Sequence, residues 1–324
     1  MPWPGEFIKV IMSESNIVRR ESNFFRNLVI VLLSIASVTG IILFSVHLYK
    51  KNNADKPTKK AIVTAWKNYD YQKVFEYTHF VLEENPFNNF ALTYQGYACF
   101  FLAVSQLENS SAQNYLDDCI NNLRIALLNA NKKLKPQLQY ILGKAYFYKN
   151  TVSSYYYSDL AVKYLLLAKK NGYKADDIAE YLGLSYAALG LTMESISAFS
   201  EALLVRESDS LLLSIAEQYA KAGQNAAAKQ YLFRVTNDCK DEILVLKGMN
   251  LLGSILISEE KYDEARILFE NILKKNKNSG DAYYGLGVIY EKKGDIVKAR
   301  SEWRKALKVQ VNHNGALTKI ADYN

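Results

Sequence analysis

The chain has 324 residues, with 40 Lys and Arg against 33 Asp and Glu, three His, three Cys, five Pro and 15 Gly, and 49% of it is hydrophobic. Such a chain can bury a large core, which excludes disorder and collagen-like repetition, and its cysteines are too few to staple a secreted mini-domain. The formal net charge of +7 concentrates at one end: residues 1–60 hold nine Lys and Arg against four acids, leaving 31 bases and 29 acids elsewhere, so the body offers nucleic acid no electrostatic footprint.

Residues 28–48 read LVIVLLSIASVTGIILFSVHL, without one Asp, Glu, Lys or Arg. As a helix rising ~1.5 Å per residue the run spans ~30 Å of hydrocarbon, and it exceeds the ~7–15 residues usual in a signal peptide. No small-x-small cleavage pattern precedes Lys50. A transmembrane helix is expected over 28–48, after a short cytoplasmic segment, 1–27, and before a linker, 49–54. Flanking charge does not fix its orientation. Arg19, Arg20 and Arg26 precede the span, whereas Lys50, Lys51, Lys56, Lys59 and Lys60 come after it, a balance that by the positive-inside rule keeps the body in the cytoplasm. A single N-terminal span acting as an uncleaved signal nevertheless most often exports the domain behind it, and export is the preferred reading. Translation can start at Met1 or at Met12. His47, at the end of the span, carries no chemical role.

From residue 55 the chain repeats itself. The first unit shows its second helix, Tyr71, Val74, Thr78 and Val81, closed by Asn85-Pro86. In the second, Leu92, Gly96 and Phe100 are answered by Cys119, Leu123 and Ala126 across an insertion that includes Asn109, Ser110 and Ser111. In the third, Leu142, Gly143 and Tyr146 are answered by Ala161, Leu165 and Ala168, with about six extra residues assigned to the turn between the helices. Four more units come in near register. They carry Ala179, Leu182, Gly183, Tyr186, Gly190, Ser195, Phe199 and Ala202; then Leu212, Ile215, Ala216, Tyr219, Gly223, Ala228 and Leu232; then Met249, Leu252, Gly253, Leu256, Ala265, Phe269 and Ile272; and last Tyr283, Leu286, Gly287, Tyr290, Gly294, Ala299, Trp303 and Ala306. A polar helix over 314–324 is placed to cover the final apolar face.

The last unit resembles the 34-residue tetratricopeptide repeat (TPR) at all of its signature positions except the closing Pro, which is Val311 here. The resemblance covers residues 55–313 and implies an all-α TPR solenoid of about seven helix-turn-helix repeats, preceded by the N-terminal transmembrane helix. The residue types have a packing reason. Gly or Ala in the first helix and Ala in the second let paired helices approach, and Leu, Tyr and Phe fill the gaps between pairs. Each pair is amphipathic and hides its apolar face only by stacking. The resemblance also implies a concave groove lined by the first helix of every repeat. Its groove positions fall on Gln137, Tyr140, Lys144, Phe147 and Tyr148; on Asp177, Glu180, Leu184, Ala187 and Ala188; on Lys247, Asn250, Ser254, Ile257 and Ser258; and on Asp281, Tyr284, Val288, Glu291 and Lys292. These residues depart from the Lys/Asn/Arg clamp by which some co-chaperone members hold an acidic peptide C-terminus.

The constellations that catalysis requires are missing. There is no phosphate-cradling G-x4-GK[ST], and Gly285-Leu286-Gly287 sits inside a helical pattern. No Cys-x2-Cys or His-x3-His occurs, and His47, His79 and His313 lie far apart, so no metal, cofactor or small-molecule substrate is expected. Cys99 and Cys119 belong to the two helices of one repeat and read either as small buried hydrophobes or, in an exported domain, as a disulfide; Cys239 is left over. The paired acids Glu259-Glu260 and Asp117-Asp118 read as solvated faces. A partner-binding surface remains. Its candidate residues are Tyr140, Lys144, Phe147 and Tyr148, the inserted Tyr155, Tyr156 and Tyr157, and Tyr284, since Tyr clusters give rigid contact area; the alternative for the insertion is a loop folded back on its own repeat.

These readings converge on a non-enzymatic, membrane-anchored TPR scaffold whose partners are other proteins in a multi-protein assembly and, through residues 28–48, the lipid bilayer. Abundant Lys, Asn, Ile and Tyr suggest an AT-rich bacterial genome. An N-terminal anchor leading directly into repeats resembles the periplasmic TPR subunits that spirochaetes build into the flagellar motor collar, which implies a bacterial inner-membrane protein with a periplasmic repeat domain. A membrane-tethered periplasmic chaperone or secretion accessory, and a regulatory subunit of a cell-wall enzyme, are the alternatives.

Overall fold

The computed structural model describes residues 24–53 and 56–323. The chain divides into two units, 1–56 and 57–324. In the first, α1 (Phe24–Asn53) is a 30-residue helix that runs through the whole of 28–48. Its side chains are described over 32–46, where every one is exposed. Thr39 donates its hydroxyl to the carbonyl of Ile35, one turn back, at 2.6 Å. Among the described residues no helix is long and apolar enough to cross a membrane. Residues 1–23, with both candidate starts, linker residue 54 and the side chain of His47 lie outside the described residues.

In the second unit, helices succeed one another in pairs, with no strand among the described residues. The pairs are α2 (Lys59–Lys67) with α3 (Tyr71–Glu84), α4 (Asn89–Val104) with α5 (Asn109–Leu128), α6 (Lys135–Val152) with α7 (Ser158–Lys170), α8 (Ile178–Ala188) with α9 (Thr192–Val205), α10 (Asp209–Lys221) with α11 (Asn225–Asp238), α12 (Glu242–Ser258) with α13 (Tyr262–Lys275), and α14 (Gly280–Lys292) with α15 (Ile296–Val309); α16 (Asn314–Asp322) packs on α15. Local chemistry sets many of the starts. Thr58, Asn88, Ser208, Asp241, Ser279 and Asp295 each accept a backbone N–H of the first turn with a side-chain oxygen, which satisfies a donor the helix cannot. In three of the last four repeats the turn between paired helices holds a glycine with positive φ, at Gly190, Gly223 and Gly294; the sixth repeat places Glu260 there, at φ 57°, a conformation unfavourable to any residue with a Cβ.

Each first helix also touches the next: α4 meets α6, and α6, α8, α10, α12 and α14 continue the series. Second helices instead pack on the first helix of the succeeding repeat, as α5 on α6 and α13 on α14. The first helices therefore form the inner row of the stack. Within each pair the contact is close. A Cβ placed on Gly96 would lie 2.4 Å from Leu123, on Gly143 2.6 Å from Leu165, on Gly183 and Gly253 2.5 Å from Phe199 and Phe269, and on Gly287 2.3 Å from the Trp303 indole. All five facing side chains are buried to 1% exposure or less.

The two insertions sit elsewhere than the sequence suggests. Asn109, Ser110 and Ser111 are not in a turn but form the first turn of α5, which reaches 20 residues. The apolar spacing of Ala112, Leu116, Cys119 and Leu123 continues one helix backward, and Glu108 accepts the hydroxyls of Ser110 and Ser111 at 2.6 and 3.2 Å. In the third repeat part of the extra length extends α6 to 18 residues, against 13 in α14, so the connecting turn shortens to 153–157. Extending a helix pairs more backbone groups than a long loop does.

Gly287→Ala tests the helix contact. Alanine gains ~1 kcal/mol over glycine in helix propensity, whereas a methyl pressed into the rigid indole costs ~1–3 kcal/mol or more, so a net fall in melting temperature by circular dichroism is expected. An unchanged or raised melting temperature would show that the pair separates freely.

Candidate functional site on the inner helix row

The third and fourth repeats bring most of the sequence-predicted residues together. Tyr140 on α6 is 8% exposed and donates its hydroxyl to Asp177 Oδ1 at 2.5 Å. Lys144, one turn on, donates to Asp177 Oδ2 at 2.9 Å and to the Tyr140 hydroxyl at 3.3 Å. Its ammonium also lies 4.5 Å from the ring centroid of Tyr181, 5.3 Å from that of Tyr140 and 5.7 Å from that of Phe100. Tyr148 shares a 2.8 Å hydrogen bond with Tyr181, and the Phe147 ring meets Tyr181 edge-on at 5.1 Å. Burial first, and then the bond to Asp177, pushes the Tyr140 hydroxyl far above the ordinary phenol range; burial and the bond to Tyr148 do the same for Tyr181. Both therefore stay protonated, and Tyr140 donates to Asp177. This lattice joins α4, α6 and α8 through groups that already satisfy one another. It clamps neighbouring repeats, and the half-buried Phe147 and Tyr148 are what it leaves for a visitor.

The three inserted tyrosines separate. Tyr155 and Tyr156 are 73% and 88% exposed. Tyr157 is held: its backbone N–H donates to Asn150 Oδ1 at 2.8 Å, its ring lies 6.2 Å from that of Tyr146, and the Lys149 ammonium, paired with Asp117, stands 4.5 Å above it. The turn thus folds back at one end and projects at the other.

Tyr284 lies in a second place. A cleft of about 490 Å³ opens on the inner row at the last two repeats. It is lined by Asn250, Ser254 and Ile257 of α12 and by Asp281, Tyr284 and Val288 of α14, all groove positions, with Leu251, Gly285 and Phe269 beneath and His313 and Gly315 at the end. Small residues make the space. A Cβ on Gly285 would lie 2.4 Å from Phe269, and Ser254 and Val288 stand where α6 carries Lys144. Asn250 holds a buried amide oxygen without a hydrogen-bond partner. An extended chain has apolar side chains to set on Ile257 and Val288.

His313, which sequence reasoning left without a role, closes this end. Its Nδ1 accepts the N–H of Ala316 at 3.1 Å as the N-cap of α16, and its Nε2 faces Asp281 Oδ1 at 3.1 Å. The only sequence signal is its place just before a short amphipathic helix. Glu291 accepts from Lys319 and Tyr323 of the C-terminal segment, each at 2.7 Å. Burial works against its ionisation, but those two donors prevail and hold its carboxyl below the ordinary range. Sequence reasoning missed Tyr181 as well, which sits one position after the groove residue Glu180, and Phe100, whose helix was read for packing alone.

A family profile described as the tetratricopeptide repeat protein 21 C-terminal ARM domain matches residues 192–319. No curated protein matches the chain. Among solved structures, the C-terminal part of a TPR repeat-containing protein from Cytophaga hutchinsonii is 14% identical, with a TM-score of 0.54 over 80% of this chain and 98% of that one. YrrB, described as a TPR protein with an unusual peptide-binding site, is 20% identical over 77% of this chain and 100% of its own, with a TM-score of 0.41. MamA is 20% identical over 47% of this chain and 88% of its own, with a TM-score of 0.40. The described repeats thus share the fold of TPR-type repeat structures.

Two further features of the repeat array bear on chemistry. Cys99 and Cys119 are free and fully buried, and burial pushes both thiols up, so they pack as small apolar groups. Among the described residues no group of three or more His, Cys, Asp or Glu is placed to hold a metal ion.

The tyrosine turn can be tested by division. Replacing Tyr155 and Tyr156 together by Ser is expected to change stability by less than ~0.5 kcal/mol, whereas Tyr157→Ser removes a packed ring and is expected to cost ~1–3 kcal/mol in thermal or urea unfolding. Equal losses for both variants would show that the exposed pair is structural too.

Proposed function

We propose that this TPR protein is a non-enzymatic scaffold that holds extended segments of partner proteins in the cleft between α12 and α14. The observation that carries the reading is the convergence of six groove residues, Asn250, Ser254, Ile257, Asp281, Tyr284 and Val288, on one open space. In the second and third repeats the inner row is filled by its own aromatic side chains, Tyr97, Phe100 and Tyr140, each 8% exposed or less. Buried aromatic anchors on a small number of positions are how such grooves usually gain affinity. A photo-crosslinking amino acid at Ser254 should trap a discrete protein in cells, and the trap should be lost when Tyr284→Ala is added. The same probe at Ile267, exposed on α13, is the control. Identical adducts from both positions would refute the cleft as the binding site.

The proposal extends to a tether. Residues 28–48 carry no charged side chain, lie within one helix, and show exposed apolar side chains at every described Leu, Ile, Val and Phe. We read them as the anchor of an inner-membrane protein whose repeats lie in the periplasm, within a multi-subunit assembly such as a flagellar motor collar. The full chain should then stay in the membrane pellet through an alkaline carbonate wash, while residues 55–324 alone are released. Protease added to spheroplasts should degrade the repeats. A full chain extracted by carbonate would remove the tether, and repeats protected from protease would reverse the orientation.

A further inference from the structure

The outer face carries a second surface, independent of the inner cleft. Two adjoining hollows, of about 450 and 580 Å³, lie between α5 and α7 and share Leu127, Leu128 and Tyr164. With Leu167 these side chains make an apolar floor, and Leu128 is 83% exposed. Around it stand Arg124, Lys135, Lys163 and Lys170, and no acidic residue lines either hollow.

This cluster contrasts with the ion-paired stretches of the same array. There a cation pairs with a carboxylate of the neighbouring repeat: Lys169 with Glu201, Lys229 with Glu259, Lys293 with Asp263, Arg234 with Glu207. Among the described residues Lys135, Lys163 and Lys170 form no ion pair. Lys132 and Lys133, exposed in the turn between α5 and α6, add to the same positive field. Lys170 in the last turn of α7 complements that helix's C-terminus, but this leaves Lys135, in the first turn of α6, against the favourable direction of its dipole. An exposed leucine floor inside an uncompensated cationic rim is costly unless something covers it.

We infer that this groove docks an acidic amphipathic helix of a partner protein. Such a helix offers Leu, Ile or Phe at three- and four-residue spacing to the floor, and Glu or Asp on its flanks to the four cations. Complementary charge would steer the encounter and fix the orientation, and burial of Leu128 and its neighbours would hold the complex.

The test is selection of a displayed random 16-residue peptide library on the full chain, in parallel with a Lys135→Glu, Lys163→Glu, Lys170→Glu triple variant and with Leu128→Asn. Circular dichroism first establishes that both variants melt as the parent does. The expected result is enrichment of peptides with apolar residues at helical spacing among Glu and Asp. Their binding should weaken with salt, fall about tenfold or more in the triple variant and fall several-fold in Leu128→Asn. It should persist in Tyr284→Ala, which separates this surface from the inner cleft. Enriched peptides that are neutral or basic, or acidic peptides that bind all variants alike, would overturn the inference. A selection without acidic peptides, together with phosphatidylglycerol vesicles that bind the parent and not the triple variant, would reassign the patch to a membrane surface.

Discussion

Everything in the repeat array depends on how closely two helices of a pair approach, and one contact sets that distance. A glycine in the first helix receives the face of a large side chain from the second: Leu123 on Gly96, Leu165 on Gly143, Phe199 on Gly183, Phe269 on Gly253 and Trp303 on Gly287. Each glycine leaves less room than a single methyl requires, so the large side chain is driven into the axis of the pair and excluded from water. In the fifth repeat Ala216 and Leu232, at the corresponding positions, are both fully buried in one cluster. A fully buried side chain of this size is worth ~1.5–3 kcal/mol, and its contribution recurs with every repeat. Because each pair is built to one thickness, the next pair stacks in the same way, and short ladders of identical contacts become a continuous core.

The stack fixes the backbone but leaves the inner row free to vary, and this chain uses it in two ways. In its N-terminal half, aromatic side chains fill the row, and their polar tips find each other: Tyr140 and Lys144 meet Asp177, and Tyr148 meets Tyr181. A charged amine taken partly out of water is tolerable there because a carboxylate and three aromatic faces surround it. In the C-terminal half, serine, valine and glycine stand at the corresponding positions, and the row opens into a cleft. One architecture thus yields a rigid half and a receptive half, and the difference lies in side-chain size alone.

Beyond the seventh repeat the described residues place α16 against α15. This helix brings little apolar surface of its own. Ala316 is its only buried hydrophobic residue, set beneath Trp303, and the rest is polar anchoring: His313 caps the helix and faces Asp281, while Lys319 and Tyr323 hold Glu291. Two of the residues so engaged, Asp281 and Glu291, are inner-row positions of the seventh repeat, so the closure of the array and the shape of the cleft are mechanically joined.

The range of each interaction decides how much of this was legible in the sequence. Helix identity and the pairing of helices were written in residues at most a few turns apart, in the recurrence of Gly183, Phe199 and Ala202, then Gly253, Phe269 and Ile272, then Gly287, Trp303 and Ala306. The groove positions could be named from the same register. What register cannot convey is which of those positions remain open, because that depends on contacts 33 to 37 residues apart, such as Tyr148 with Tyr181 and Tyr140 with Asp177, which exist only once repeats stack. The insertions misled for a related reason: a count of extra residues does not say whether they extend a helix or a turn, and the backbone chose helix at Asn109 and along α6. The sequence by itself determined a stacked array of helix pairs, since periodic small and large residues admit no other close packing. Only the tertiary structure decided that Tyr140 is a clamp, that Tyr157 is anchored while Tyr156 projects, and that the space for a partner lies beside Tyr284, because burial belongs to neighbours that the chain brings together from different repeats.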